Sequence, residues 1–373
     1  FMAEEPPEAH LALAESLETL AASVDDRSAF KERLRGVHGE LVGRAAERGE
    51  YRRVPLEMSF YRYQLIGRSL TLFILCFVLV ALTWLKPGWR RLTAAAPYAL
   101  LVPTALLAAG ITMRCIIRGR PPVTTLYETI LFTTAVCVAL AIAIELMNRR
   151  RIAVSLGAVL GVAGMFIANR YELKEGVDTM PSLVAVLDTN FWLSSHVTTI
   201  VMGYGAALLA AAIGHVYILG RVLRVRKNDD EVYAGIYRMT YGVMAFGLLF
   251  SVVGTVLGGI WANESWGRFW GWDPKENGAL MIVLWMLILF HARRGGYIQG
   301  LGFNMGAVVC GMVVAFSWWG VNLLGVGLHS YGFTSGIFRV LVGFYVLETL
   351  VVLLGCFVWL RDHGYLAPAE STP

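Results

Sequence analysis

The chain has 373 residues, 57% of them hydrophobic and 16% charged, with a formal net charge of +5. A soluble domain carries about 25% charged residues, so this composition, with a mean hydropathy of +0.59, excludes an ordinary soluble globular protein. The basic residues are scattered over loops rather than interleaved with aromatics, which argues against nucleic-acid binding.

Residues 1–60 differ from the rest. They are rich in Glu, Ala and Arg, and their apolar residues recur at helical spacing: Leu11, Leu13, Leu17 and Leu20, then Phe30, Leu34 and Leu41. This predicts a soluble arm of two amphipathic helices, broken near Asp25-Asp26. The opening Phe1-Met2 shows no signal-peptide pattern; the tail of a longer polypeptide and a numbering artefact are both open readings.

Residues 61–373 read as one membrane domain. Long uncharged runs fall at 69–85, 93–113, 123–144, 152–169, 197–220, 240–262, 277–292, 303–324 and 337–360. About 20 apolar residues cross a bilayer core, and backbone groups in lipid must pair internally, so these runs predict helices. The expected fold is all-α: a polytopic integral membrane bundle of about nine transmembrane helices behind a short soluble helical arm. No internal repeat or low-complexity tract interrupts it. If the loop after the first span is cytoplasmic, the loops on that side hold fourteen Lys and Arg and the short loops opposite hold seven. The positive-inside rule then turns the loop 260–276 outward. Arg52, Arg53, Arg62 and Arg68 disagree with that orientation, but long segments obey the rule poorly. The five cysteines form no Cys-x-x-Cys, and four lie inside spans, so neither a disulfide framework nor a zinc site is expected.

The chemistry concentrates in Trp266-Gly-Arg-Phe-Trp-Gly-Trp-Asp-Pro-Lys-Glu276. Trp266, Phe269, Trp270 and Trp272 give this loop an unusual amount of flat aromatic surface. Interfacial anchoring is one reading, since Trp gathers at membrane interfaces; a platform for a flat apolar ligand such as haem is the other. Asp273-Pro-Lys-Glu276 predicts a helix start: Asp as N-cap, Pro in the first turn, Glu completing a capping box. Gly254-x-x-x-Gly258 just upstream predicts close helix packing. Arg268 and Lys275 are the cations of the loop, suited to haem propionates or to lipid headgroups.

Of seven histidines, His10, His38 and His363 fall in the arm and tail and read as solvated. His196 opens the fifth span and His329 lies between the eighth and ninth, so with the assumed topology both face outward, on the same membrane face as the Trp loop. Imidazole is a good iron ligand, and two can fill the axial positions of a haem. His291 ends the seventh span at the opposite face; His215 lies in the fifth. Each reads as structural or as one ligand of an inner site. Mid-span charges are few (Glu128, Arg339, Glu348), and none pairs with another in sequence.

These motifs together resemble a family. Trp266–Leu280 is similar to the WWD signature of haem-handling membrane proteins. The Trp-Asp-Pro-Lys-Glu form, with Leu289-Phe-His-Ala-Arg293 one helix later, resembles the CcsA (ResC) family of system II cytochrome c biogenesis. Gly119-Arg-Pro-Pro-Val-Thr-Thr-Leu-Tyr-Glu128, Leu187–His196 and Gly327–Gly332 agree with it, so the likeness covers about residues 60–360. It implies a haem lyase component that works with a CcsB (ResB) partner, fused or separate, moving haem outward and attaching it in the ferrous state to apocytochrome c. By the same resemblance, haem b is the ligand, and His196 and His329 are its outer axial ligands. Trp261, Trp266, Arg268, Phe269, Trp270 and Trp272 line the haem, and Trp266, Trp270, Trp272 and Asp273 serve catalysis. His291 is the inner-site ligand, its second ligand coming from the partner, since the first span and the region before it hold no matching histidine. The implied location is the bacterial cytoplasmic membrane, loop outward, with the thylakoid membrane as the lesser alternative. Two other readings stay open: a system I haem chaperone or exporter without ligation activity, and a secondary transporter with discontinuous helices around a midplane site.

Overall fold

The computed structural model describes residues 7–175, 180, 189–226, 230–327, 329 and 337–365; they are all-helical, with no strand among them. Parts of two quoted motifs, residues 187–188 and 328 with 330–332, lie outside the described residues, as do Phe1 and Met2. The chain divides into two compact units, Phe1–Tyr63 and Gln64–Pro373.

The first unit holds α1 (Pro7–Ala21), α2 (Arg27–Glu47), a 3-10 turn (Tyr51–Arg53) and α3 (Val54–Tyr63). The break comes at Asp25-Asp26 because Asp26 is the N-cap of α2. Its side chain accepts from the backbone N–H of Ser28 and Ala29, two donors that a helix start leaves without a partner. Arg33 donates to the Thr19 carbonyl at 2.6 Å and ties α2 to α1. The leucines of the expected amphipathic faces are not covered: Leu11, Leu17, Leu34 and Leu41 stay exposed. Two short helices cannot enclose an apolar stripe by themselves.

The second unit holds α4 (Leu65–Leu85), α5 (Arg90–Arg118), α6 (Leu126–Asn148) and α7 (Ile152–Glu175). A one-turn α8 (Asn190–Trp192) runs through a π-helical turn (Leu193–Val197) into α9 (Thr198–Val222), followed by α10 (Asp230–Trp266) and α11 (Pro274–Arg294). Then come α12 (Gly300–Ala315), a second π-helical turn (Phe316–Gly320), a 3-10 turn (Val321–Leu324) and α13 (Ile337–Asp362). Among the described residues nine helical stretches are long and apolar enough to cross a membrane, from Tyr51–Leu85 to Ile337–Asp362, one for each predicted span. The chain is an integral membrane protein.

The bundle is organised around α9, which packs against α6, α7, α10, α12 and α13. Its buried positions are mostly small, including Gly203, Ala206, Ala207, Ala210 and Gly214. Between helices in lipid there is no hydrophobic drive, and close backbone approach supplies the attraction instead. Large apolar side chains point the other way, as with the exposed Leu75, Leu249 and Leu350.

Buried charge is paired. Arg114 of α5 and Glu128 of α6 meet at 3.0 Å, with side chains only 2% and 3% exposed. Glu145 accepts from the N–H groups of Arg151 and Val154 and so caps the start of α7. His215 Nε2 and Glu348 Oε2 lie 3.1 Å apart across α9 and α13. Two of the three mid-span charges seen in the sequence thus have partners on other helices. Removing one member of a buried pair strands the other, so these pairs fix helix neighbours.

Candidate functional site

At the end of the bundle where α10 passes into α11 lies a cavity of about 400 Å³, within the range of about 300–1,000 Å³ common for cofactor sites. His196 and His329 both line it, together with Trp261, Trp266, Trp270 and Trp318. His196 lies in the first π-helical turn and Trp318 in the second. Such turns add a residue to a helical turn and gather at functional sites. Here each contributes a side chain, His196 or Trp318, to one cavity.

His196 is held against α10. Its Nδ1–H donates to the Gly254 carbonyl at 2.8 Å. A Cβ on Gly258 would lie 2.6 Å from the His196 Cε1, so the imidazole rests in the gap that the missing side chain leaves. Gly254-x-x-x-Gly258 therefore does more than bring helices together: at Gly254 the α9 backbone passes close, with a Cβ there only 2.8 Å from the Ile200 Cα, and one turn on it seats the ring. Trp261 stands beside that ring, centroids 5.7 Å apart.

His329 is held differently. Its Nδ1–H donates to the Asp273 carboxylate at 3.0 Å, and its ring meets Trp266 edge-on, centroids 5.2 Å apart. Burial pushes the His329 pKa below the usual histidine value, and the Asp273 carboxylate opposes that shift. A neutral imidazole is the form that binds a metal.

Asp273 is the hinge of the loop. It is the N-cap of α11, accepting from Lys275 N–H at 2.9 Å. Glu276 closes the capping box, its Oε2 accepting from the N–H of Gly271 at 2.8 Å and of Asp273 at 3.1 Å. Asn277 donates to the Trp272 carbonyl at 2.9 Å. These bonds bracket Trp272, which sits at φ +59°, a left-handed conformation unusual for a bulky residue. The result is an indole turned outward, 69% exposed.

The remaining predicted residues divide between the margin of the cavity and the far end of α11. Phe269 packs its ring on Gly259, where a Cβ would lie 2.6 Å from Cζ. Arg268 lies over the Trp266 ring and 3.5 Å from Glu276. Lys275 lines the cavity but donates to the Trp318 carbonyl at 2.9 Å. His291 is far from the others: it lies 17 residues along α11 from Pro274, about 25 Å at the helical rise. Its Nδ1–H donates to the Leu287 carbonyl at 2.7 Å, and its side chain shares an exposed face with Leu284 and Ile288.

The cavity also holds residues that sequence reasoning passed over: Trp318, Tyr204, and the pair Thr124 and Thr125. The threonines lie inside the Gly119–Glu128 motif, which was a signal. Trp318 had none, being one more aromatic in an apolar run.

Both cavity histidines donate Nδ1–H to the protein, the arrangement that orients an imidazole to ligate a metal through Nε2. Among the described residues no cluster of three or more His, Cys, Asp or Glu could hold a bare ion. Two imidazoles between tryptophans suit a flat metal complex that brings its own equatorial ligands.

The fold and this cavity define an integral membrane helix bundle with a bis-imidazole, tryptophan-walled pocket at one end. Residues 123–329, which include both histidines and the whole Trp loop, match the family model described as "Cytochrome C assembly protein". The chain belongs to that family. Among its relatives is the cytochrome c biogenesis protein CcsA of Synechococcus sp. (strain CC9902), 29% identical over 66% of this chain and 88% of that one. The CcsA protein of Chlorella vulgaris is also 29% identical, over 70% of this chain and 95% of its own length. Among solved structures, the cytochrome c heme lyase CcmF shares the fold, with a TM-score of 0.54 at 15% identity over 80% of this chain. This chain spans half the length of that one.

Proposed function

We propose that the chain binds haem as its substrate in this cavity, with His196 and His329 as axial ligands, and passes it to apocytochrome c together with a CcsB (ResB)-type membrane partner. The observation that carries the reading is the pair of histidines on one tryptophan-lined cavity, each ring oriented by a hydrogen bond from Nδ1–H. Family membership and the CcsA relatives support the biological context.

The chemistry asked of the protein is modest. A cysteine S–H adds across a haem vinyl group: sulfur bonds to one vinyl carbon, the proton goes to the other, and no electrons are exchanged. What the chain supplies is orientation, which can account for much of a rate enhancement. His196 and His329 fix the haem plane, Trp261, Trp266, Trp270 and Trp318 cover its faces, and the outward Trp272 lies where a peptide would approach. Asp273 acts by shaping the loop and holding His329. Arg268 and Lys275, though engaged, lie close enough to the tryptophans to meet the propionates. His291 serves a separate haem site at the opposite end of α11, completed by a ligand from the partner. The charge count favours the Trp loop outside a bacterial cytoplasmic membrane.

The test is an absorption spectrum of the detergent-purified chain with and without a co-expressed partner. Wild type should carry low-spin haem, His196→Ala and His329→Ala should each weaken or shift the spectrum, and the double variant should abolish cytochrome maturation in a host lacking its own system. Full haem occupancy and full maturation in the double variant would sink the reading. Haem binding without maturation would leave a carrier rather than a lyase component.

A further inference from the structure

The two cavity histidines are hydrogen-bonded to acceptors of different kind. His196 donates to a neutral backbone carbonyl, that of Gly254, at 2.8 Å. His329 donates to a carboxylate, that of Asp273, at 3.0 Å. Asp273 is no surface acid: its side chain is 3% exposed, and its Oδ1 is already oriented by the Lys275 N–H. A carboxylate on the far nitrogen of a ligating imidazole draws the Nδ1 proton away, makes Nε2 more basic and strengthens its bond to the metal. A backbone carbonyl does so more weakly, because hydrogen bonds to ionised partners are roughly twice as strong as neutral ones.

From this we infer, resting on the haem reading above, that the two axial ligands are unequal: His329 is the anchoring ligand and His196 is the one that the histidine of the incoming Cys-x-x-Cys-His motif replaces. The exchange balances simply. The iron–Nε2 bond of His196 breaks and its lone pair returns to the cavity, while Nδ1–H stays on the Gly254 carbonyl. The lone pair of the substrate imidazole forms the new bond, and no electron or proton changes owner. Asp273 is then a positioning residue that acts through His329.

An opposing effect has to be weighed. His196 lies on a helix and His329 on a loop, and loop groups ordinarily move more easily. The loop is tied down, however, at the point that matters. Gly327 has φ +92°, and a Cβ there would overlap the Asp273 carboxylate and lie 2.9 Å from Pro274 Cδ. The backbone two residues before His329 is thus packed on the start of α11, and the ring is held by Asp273 and Trp266. That leaves the difference in acceptor to decide which ligand lets go.

Carbon monoxide separates the two, because it takes the site of the weaker axial ligand on ferrous haem. The experiment is a resonance Raman measurement of the iron–histidine stretch after photolysis of the carbon monoxide complex, on the full chain with haem bound. We expect a high-frequency band in wild type, typical of a histidine bonded to a carboxylate. Asp273→Asn should shift it down, and His196→Gly should leave it where it is. A band that Asp273→Asn leaves unmoved would mean that His196 is the ligand retained and would overturn the proposal, whereas a band lost in His329→Gly and kept in His196→Gly supports it. A wild type that binds no haem would overturn this inference together with the haem reading, whereas low-spin haem with an unmoved band overturns this inference alone.

Discussion

A methyl group on Gly258 would lie 2.6 Å from Cε1 of His196. No real carbon packs that closely, so Gly258→Ala must push the imidazole off α10 or break its bond to Gly254. Overpacking of this kind costs about 1–3 kcal/mol, which is about 5- to 150-fold in affinity if the ring is a ligand. Gly242→Ala, on the same helix with open space around it, is the matched control and should bind haem as wild type does. Titration of both variants with haem checks this; equal affinities would remove His196 from the site.

Asp273 has two tasks that can be separated by substitution. Asn is as good an N-cap as Asp, whereas Ala costs about 1 kcal/mol at that position. Asp273→Asn should therefore unfold close to wild type in detergent, and Asp273→Ala measurably earlier. Both should weaken haem binding, since both remove the carboxylate that His329 leans on. Thermal unfolding beside haem titration shows whether stability and binding part company in this way.

The same contact sets a pH dependence in the ligand-free protein. Burial holds the folded-state pKa of His329 below its unfolded value, with Asp273 acting against burial. The unfolded histidine, with a pKa of about 6.5, then binds a proton more readily than the folded one. Stability is full above that value and declines as pH falls below it, through the folded-state pKa. Asp273→Asn removes the opposing carboxylate, lowers the folded-state pKa further and should steepen the acid loss. Unfolding midpoints between neutral and mildly acid pH, compared with His329→Gln, test the direction.

The bundle was legible in the sequence because lipid demands long apolar helices, and length with composition is enough to find them. The Asp273 cap was legible too, since a capping box is a local pattern. The Asp273–His329 bond was not: its partners lie 56 residues apart, and cap chemistry already explained the aspartate. Nor was the role of Gly258, because a missing side chain says nothing about what fills the gap. The mid-span acids looked unpaired for the same reason, their partners being on other helices. The helical spacing of the leucines in α1 and α2 was legible as well, but spacing alone does not say what covers an apolar face, and Leu11, Leu17, Leu34 and Leu41 stay exposed.

Glu128 joins the buried core to the cavity. One carboxylate oxygen faces Arg114 at 3.0 Å; the other accepts from the N–H and hydroxyl of Thr124, which lines the cavity. Arg114→Met leaves that carboxylate buried without its cation, a loss of about 3–5 kcal/mol. Adding Glu128→Gln removes the stranded charge and should recover much of the stability. Haem affinity should not recover with it, because the amide no longer anchors Thr124 as the carboxylate did. A double-mutant cycle read by both unfolding and haem titration distinguishes the two effects. Full recovery of both would mean that the pair serves packing alone and that the threonine wall does not depend on it.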